Sequence, residues 1–218
     1  MNILKSIDDC VFGDAESKEI LNYILTGALP FPSESIGKTG IILYGLPGTG
    51  KTTLARSICE WIEFANSGKE AFYPARFFGV ESKRSAKICD QINETIRVVN
   101  FNESNVHYFI LDEADQLSSV AMNNLKSLMG TNSNVVIVMT TNYLKKIPKD
   151  VQSRCYCVNM NPGPVDLYQE RLKDIAKTDF DVELSNSSIN NCVNKGEGGW
   201  RNMVTEVAIA CAKQKKAA

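Results

Sequence analysis

The chain alternates short, nearly unbroken apolar runs with longer segments whose apolar residues recur every three or four positions. Runs of the first kind predict buried strands, and the second spacing predicts helices that pack on one face. Because the two kinds alternate, the pattern favours βαβ units, an α/β fold with a five-stranded parallel sheet flanked by helices. The predicted strands are GIILYG (40–45), ARFFGV (75–80), VHYFILDEAD (106–115), NVVIVMTTN (134–142) and CYCVNM (155–160).

Three segments between these strands have helical spacing, KTTLARSICEWIEFA (51–65), SAKICDQINETIRVV (85–99) and SVAMNNLKSLMG (119–130). We expect the third helix to close at Gly130, because glycine is favoured at the position that follows a helix. A short helix is also expected just before Arg154.

The alternation stops at NMNPGP (159–164), where two prolines and a glycine interrupt the strands. The remaining segments, VDLYQERLKDIAK, SNSSINNCVNK and GWRNMVTEVAIACAKQKK, all have helical character. The sequence therefore predicts an α/β domain over residues 1–160 and a small all-helical lid domain over residues 161–218.

Composition narrows the class of protein. Of 218 residues, 44% are apolar, enough for a sizeable core, and the formal net charge of -1 neither requires nor excludes a nucleic-acid partner. The seven cysteines form no CxxC pair, which favours reduced thiols over disulfides or zinc ligands. The first residues show no signal-peptide pattern, and no apolar run is long enough for a membrane span. We therefore expect no membrane partner and a cytoplasmic location: the host cytoplasm for a viral protein, or the nucleus for a eukaryotic one.

A phosphate-binding loop follows the first predicted strand. GLPGTGKT matches G-x-x-x-x-G-K-[ST] and opens a helix, which is the context that this motif requires. The loop's backbone N–H groups and the helix N-terminus favour phosphate, Lys51 is expected to reach the β/γ-phosphates, and Thr52 is expected to bind Mg²⁺. The candidate ATP-binding residues of this segment are Gly45, Pro47, Gly48, Thr49, Gly50, Lys51, Thr52 and Thr53.

Polar residues end the third and fourth predicted strands. Asp112 is placed to support the metal, and the adjacent Glu113 to polarise the attacking water. Asp115 is interpreted as an acidic residue at a helix N-terminus. Asn142 is placed to touch the γ-phosphate and the water, although a strand-ending asparagine in a turn is the alternative.

The order of these motifs resembles that of the AAA+ ATPases, and within them the clamp-loader subunits. The residues that carry the resemblance are GLPGTGKT, LDEADQLS, TTN, PKDVQSRC, GGWR and the N-terminal SIDDCVFGDAESKEIL, so that it spans residues 5–212. By position, the resemblance implies that Asn142 is the first sensor, that Arg201 is a second sensor contacting the phosphates, and that Val11 and Phe12 line the adenine pocket. It also implies that Glu113 is the catalytic base.

Arg154, within DVQSRC, has three interpretations: a solvated surface charge, a ligand of the protein's own nucleotide, or a group for a neighbouring subunit. Lys51 and Arg201 already supply cations to the protein's own phosphates. The resemblance favours the third interpretation, an arginine finger that acts in trans on a neighbour's ATP.

The resemblance further implies a homo- or hetero-oligomer of AAA+ subunits, with a pentamer expected, a sliding clamp and primer–template DNA as partners. Lys83, Arg84 and Lys87, at the start of a predicted helix, are the candidate DNA-binding residues, with a solvated basic face as the alternative. Lys126 is a weaker candidate.

The chain departs from the family pattern at several positions. It lacks the N-terminal Lys-Tyr-Arg-Pro segment, has Met122 and Gly130 where glutamine and glutamate are usual, and has no counterpart of the collar domain within its 218 residues.

Three functions follow from these observations. The first is an Mg²⁺-dependent ATPase that loads a sliding clamp on primer–template DNA. The second is an AAA+ helicase loader, replication initiator or mobile-element regulator that acts on DNA without a clamp. The third is a scaffold that binds nucleotide without hydrolysing it, which is disfavoured by the presence of Lys51, Asp112, Glu113 and Arg154.

Overall fold

The computed structural model describes residue 4 and residues 6–71, 75–79 and 85–217. Its five strands are β1 (Gly40–Tyr44), β2 (Arg76–Gly79), β3 (His107–Asp112), β4 (Val135–Thr141) and β5 (Cys155–Asn159). Its helices are α1 (Ala15–Leu25), α2 (Lys51–Ser67), α3 (Ser85–Ile96), α4 (Ser119–Thr131), α5 (Lys149–Gln152), α6 (Asp166–Phe180), α7 (Asn186–Lys195) and α8 (Trp200–Ala217). Short 3-10 turns lie at Ile7–Asp9, Ala114–Gln116 and Leu144–Lys146.

The strands form one sheet in the order β2-β3-β4-β1-β5, with every neighbouring pair parallel. The predicted five-stranded parallel sheet flanked by helices is thereby confirmed. Because all strands run the same way, the residues that follow β1, β3 and β4 meet at one edge of the sheet. In an open parallel sheet, this edge is where ligands bind.

Each face of the sheet is covered by its own core, and the side chains of one strand serve both. In β3, Phe109 and Leu111 pack with α3 and α4, whereas Tyr108 and Ile110 pack with α1 and α2. This two-sided burial explains why the central strands are apolar at nearly every position.

Helices α6, α7 and α8 share a separate core, which includes Leu172, Ile189 and Val207. The connection after β5 joins it to the sheet, because the N–H of Met160 donates to the Tyr44 carbonyl at 2.7 Å. Helices α6, α7 and α8 therefore follow directly from the edge of the sheet where β1 ends.

Two predicted helix ends are wrong. Helix α3 ends at Ile96, and Val98 and Val99 beyond it are 66% and 72% exposed, so these valines continue an apolar pattern without continuing the helix. Helix α4 runs through Gly130 to Thr131, and the side chain of Asn132 caps it by donating to the Leu128 carbonyl at 2.9 Å.

Among the residues described, no helix combines the length and the apolar character needed to cross a bilayer. Across the same ranges, no group of three or more His, Cys, Asp and Glu residues is arranged to hold a metal ion.

Candidate active site

The loop between β1 and α2 requires glycine at its first position. Gly45 has a φ of 153°, and a Cβ there would lie 2.7 Å from the backbone carbon of Met160. Gly50, with a φ of 94°, turns the chain into α2. The loop can therefore curl against the N-terminus of α2 and present its N–H groups.

Lys51 lies almost fully buried inside this loop, 7% exposed. Its Nζ donates to the carbonyl oxygens of Gly45 at 2.9 Å and Leu46 at 2.6 Å. Burial lowers the pKa of Lys51 to about 8, against the opposing effect of Asp112 and the other nearby carboxylates. Because an ammonium group has three donors, one remains for a phosphate oxygen.

The hydroxyls of two threonines converge on Asp112 at the end of β3. Thr52 donates to Asp112 Oδ1 at 2.8 Å, and Thr140 donates to the same oxygen at 2.6 Å. This brings together the two predicted metal-binding residues. Thr140 was missed by sequence reasoning, although its position near the end of the strand beside β3 is a signal that could have identified it.

Glu113 adopts a left-handed backbone conformation, with a φ of 58°. Its N–H donates to Thr140 Oγ1 at 3.0 Å, and its carboxylate accepts from the side chain of Gln116. A residue other than glycine held in this region is strained, and such strain clusters at functional sites. The conformation turns the chain so that Glu113, which is exposed, lines the same cavity as Lys51 and Thr52.

Asp115 lies near the start of a short helical turn, as its position suggested, and it also contacts β4 and the turn that follows β4. Its carboxylate accepts from Thr141 Oγ1 at 2.7 Å and lies 3.5 Å from Lys146 Nζ. Thr141 also accepts the N–H of Tyr143 at 2.9 Å. These contacts hold the chain on both sides of Asn142, which lines the cavity.

The cavity that these groups form has a volume of about 250 Å³. The C-terminal helices contribute Trp200 and Arg201, at the start of α8, to its lining. The N–H of Arg201 donates to the Gly48 carbonyl at 3.2 Å, so this residue contacts the phosphate loop directly. The cavity lining also contains Pro47, Gly48, Gly50, Thr53 and Thr141.

A second cavity, of about 110 Å³, adjoins the first and shares Gly50, Thr53 and Trp200 with it. Its lining includes Val11, Thr49 and Tyr168. The ring of Tyr168 stacks on that of Trp200, with 6.3 Å between centroids. Phe12 is not in this lining: its side chain is 6% exposed and packs in the core beneath α1.

An ion pair beside the second cavity joins the N-terminal segment to helix α6. Arg171 Nη1 of α6 lies 3.5 Å from Asp9 Oδ1. Both residues line the cavity. Closure of this side therefore depends on a contact between segments far apart in sequence.

Arg154 lies at the opposite end of the sheet from both cavities. It precedes Cys155, which pairs with Gly40 at the amino end of β1. The phosphate loop begins five residues later, at Gly45, so about 17 Å of strand separates the two. This register excludes Arg154 as a ligand of the protein's own nucleotide.

The guanidinium of Arg154 packs against the last turn of α4. A Cβ on Gly130 would lie 3.4 to 3.6 Å from its Nη2, Cζ and Nη1 atoms. Within the described ranges, no residue makes a hydrogen bond or ion pair with this guanidinium. The negative end of the α4 dipole favours a cation at this position. The N–H donors of the Arg154 guanidinium remain without a partner among the described residues.

The predicted DNA-binding residues are only partly described. Lys87 is exposed in the first turn of α3, whereas Lys83 and Arg84 lie outside the described residues. Lys126, the weaker candidate, pairs with Asp150 at 2.6 Å.

Comparison with known proteins places these features in a family. A family model described as ATPase family associated with various cellular activities (AAA) matches residues 41–160. This range runs from β1 to the end of β5 and contains the phosphate loop, the acidic segment and Arg154.

Curated relatives match most of this chain at low identity. Replication factor C small subunit 1 of Pyrobaculum aerophilum is 27% identical over 214 residues, covering 97% of this chain and 60% of the relative. The replication factor C small subunit of Methanococcus maripaludis is 24% identical over 196 residues, covering 89% and 58%. The chain thus spans about 60% of the length of the first of these relatives.

Solved structures show the same fold. A RuvB variant of Thermotoga maritima superimposes with a TM-score of 0.64 at 18% identity, covering 90% of this chain and 61% of that one. PCH-2 of C. elegans gives 0.54 at 16% identity, covering 95% and 71%. At these identities the likeness concerns the fold alone.

Proposed function

This chain belongs to the AAA family of ATPases, and we propose that it is an ATP-hydrolysing subunit of a clamp-loader-like complex of DNA replication. In this role it couples ATP binding and hydrolysis to the loading of a sliding clamp on primer–template DNA. The curated relatives, named replication factor C small subunits, support this choice among AAA functions. The observation that carries it is the position of Arg154, a cation without a polar partner among the described residues and far from the chain's own nucleotide cavity.

The two adjoining cavities fit the two ends of ATP. The phosphates suit the loop around Lys51, with Arg201 on the opposite wall, and the base suits the second cavity beside Val11 and Tyr168. The helices from residue 161 onward act in this proposal as a lid domain, and residues 1–160 as the ATPase domain.

The residues at Asp112 fit a magnesium ion. The hydroxyl oxygen of Thr52 and a carboxylate oxygen of Asp112 lie 2.8 Å apart, so both can serve as ligands of one metal ion. Mg²⁺ is usually held by one or two protein oxygens, waters and phosphate oxygens, so this small donor set is sufficient. When bound, the ion supplies charge neutralisation on the β- and γ-phosphates.

The residues of this chain then have distinct roles in hydrolysis of ATP to ADP and phosphate. Glu113 orients and polarises the attacking water, with its backbone held by Thr140. Asn142 contacts the water and the γ-phosphate from the neighbouring strand. Arg201 contacts the phosphates and transmits their presence to the lid. A neighbour's Arg154 adds a further cation, beside Lys51 and Arg201, that stabilises the charge developing in the transition state.

A trans-acting Arg154 requires an oligomer in which the amino end of β5 on one subunit faces the nucleotide cavity of the next. Such a head-to-tail contact generates a ring or an open spiral. The AAA+ subunits of a pentamer would each complete the site of a neighbour in this way.

An apolar cluster in the connection that leads into the amino end of β3 offers a surface for the sliding clamp. Val98, Val99 and Phe101 are 66%, 72% and 61% exposed, in the connection between α3 and β3. Neighbouring apolar residues exposed to this degree mark interaction sites. DNA contacts are assigned to the start of α3, at Lys87, and to Lys83 and Arg84 just before it.

The proposal is tested by measuring ATP turnover with different partners. We expect primer–template DNA and a sliding clamp together to stimulate turnover more than either alone, and the Lys51→Ala variant to be inactive under all conditions. Stimulation by single-stranded DNA or by a helicase without a clamp would favour a helicase loader or initiator instead.

A further inference from the structure

Lys38 bonds the backbone on both sides of Arg154. Its Nζ donates to the carbonyl oxygen of Ser153 at 3.1 Å and to that of Cys155 at 2.6 Å. The bonds to a charged donor are among the stronger hydrogen bonds in proteins. One side chain thus ties together the residues immediately before and after the proposed finger.

The position of Lys38 is itself well defined. Its backbone exchanges two hydrogen bonds with Ser33, at 2.9 and 3.1 Å, around a tight turn that Gly37 closes with a φ of 72°. Its Nζ also lies 4.9 Å from the centroid of the Tyr156 ring, a cation–π contact. The ammonium therefore reaches β5 from a fixed turn.

The backbone of Arg154 makes several hydrogen bonds, whereas its side chain makes none with the described residues. Its carbonyl oxygen accepts from the N–H groups of both Thr39 and Gly40 at 3.1 Å, and its N–H donates to the Val151 carbonyl. Since its guanidinium has no hydrogen-bond partner among the described residues, only the backbone and the packing on Gly130 direct it.

We propose that Lys38 is a positioning residue of the arginine finger, aiming Arg154 at the neighbouring subunit's ATP by fixing the backbone at Ser153 and Cys155. This inference rests on the proposed function. Rate enhancement by a positioned group is sensitive to displacements of about 1 Å, so loosening the support of Arg154 reduces turnover without touching nucleotide binding. Lys38 lies beside the amino end of β1, at the level of Arg154, and lines neither nucleotide cavity.

The test uses two kinds of inactive chain that restore one another. A Lys51→Ala chain lacks a working nucleotide site and keeps its finger, whereas an Arg154→Ala chain keeps its site and lacks a finger. In a mixed oligomer, hydrolysis is expected only at interfaces where the finger of a Lys51→Ala chain faces the nucleotide site of an Arg154→Ala chain. Lys38→Met is then added to one kind of chain or the other, and kcat and KM for ATP are measured with clamp and primer–template DNA present.

With Lys38→Met on the Lys51→Ala chain, kcat is expected to fall about tenfold or more, with KM unchanged. On the Arg154→Ala chain the same substitution is expected to have no effect, because that chain has no finger to aim. Lys38→Arg on the Lys51→Ala chain is expected to restore most of kcat, since a guanidinium can donate to both carbonyls.

The result that overturns the proposal is an equal loss for both placements, which indicates general destabilisation, or no loss for either. If the mixture without any Lys38 substitution turns over no faster than its separate components, the trans-acting finger itself is refuted, and the role of Lys38 with it. Those two failures are therefore distinguishable.

Discussion

The hydroxyl of Thr140 accepts the backbone N–H of Glu113 at 3.0 Å. The same hydroxyl donates to Asp112 at 2.6 Å, so one side chain of β4 links the two acidic residues that end β3. Because Glu113 is in a left-handed conformation, this bond holds the backbone against its own preference.

Replacing Thr140 with valine, which has the same shape, should lower kcat by tenfold or more and leave ATP affinity within about threefold. The reason is that the amide of Glu113 and the carboxylate of Asp112 would each lose a part-buried hydrogen bond, which contributes about 0.5 to 3 kcal/mol. Steady-state kinetics and a binding titration measure the two quantities. Thr140→Ser keeps the hydroxyl and is the matched control; a serine variant as slow as the valine variant would contradict the role of the bond.

Arg154→Ala should bind ATP with unchanged affinity, because about 17 Å of strand lies between Arg154 and the chain's own phosphate loop. Turnover in the assembled protein should fall by about 10³-fold, the usual scale of an arginine finger. Lys149→Ala, which removes an exposed cation from the helix just before Arg154, controls for loss of charge. Weaker ATP binding by isolated Arg154→Ala chains would be inconsistent with action in trans.

Lys51 should make the stability of the nucleotide-free protein rise with pH. Its pKa is about 8 in the folded protein, against 10.5 for a lysine that is fully solvated, as in the unfolded chain. Between these values the unfolded chain binds more protons at this position, and stability therefore increases as pH rises from about 8 to 10.5. Below pH 8, Lys51 is charged in the folded protein as well, and its burial then costs about 3 kcal/mol of folding stability.

The comparison with Lys51→Met isolates this effect. Denaturant unfolding of both proteins should show the stability advantage of the variant shrinking as pH rises above 8. An advantage that is constant across this range would mean that Lys51 titrates as an exposed lysine does.

Gly45→Ala should disrupt the phosphate loop, because the new Cβ would meet the backbone of Met160 at 2.7 Å and the residue has a φ of 153°. We expect a loss of stability of about 2 kcal/mol or more and loss of detectable ATP binding. Gly79→Ala is the matched control, since no residue that the structure describes lies within 4 Å of a Cβ built there. Thermal unfolding and a nucleotide titration test both variants, and equal behaviour of the two would refute the steric argument.

Arg171→Met should raise the ATP dissociation rate by about 1.4- to fivefold, because a partly exposed ion pair contributes about 0.2 to 1 kcal/mol to the closure of this cavity. Stopped-flow release of a fluorescent ATP analogue measures it. Lys177, on the same helix, pairs with Glu183 at 3.0 Å with both side chains mostly exposed, and Lys177→Met is expected to leave the rate unchanged. The same change in both variants would mean that α6 responds to loss of charge in general.

Features encoded by neighbouring residues were predictable from the sequence. The five strands, the phosphate loop and the acidic strand end each occupy one short segment with its own periodicity or spacing. The ends of α3 and α4 were less predictable: Val98, Val99 and Gly130 obey local rules that the surroundings override. An apolar pattern predicts burial, yet nothing in the described chain packs on these two valines enough to bury them.

The contacts that complete the candidate site join residues far apart in the chain. Lys38 is 115 residues from Ser153 and 117 from Cys155, and Thr52 is 60 from Asp112. Such pairs depend on the order and register of the strands, which no local period encodes. Local sequence was therefore sufficient to identify a nucleotide-binding α/β protein and most groups of its site, whereas only the folded sheet decided which groups meet. It joined Thr140 to Glu113, buried Phe12 in the core, and set Arg154 at the end of the sheet away from the chain's own nucleotide.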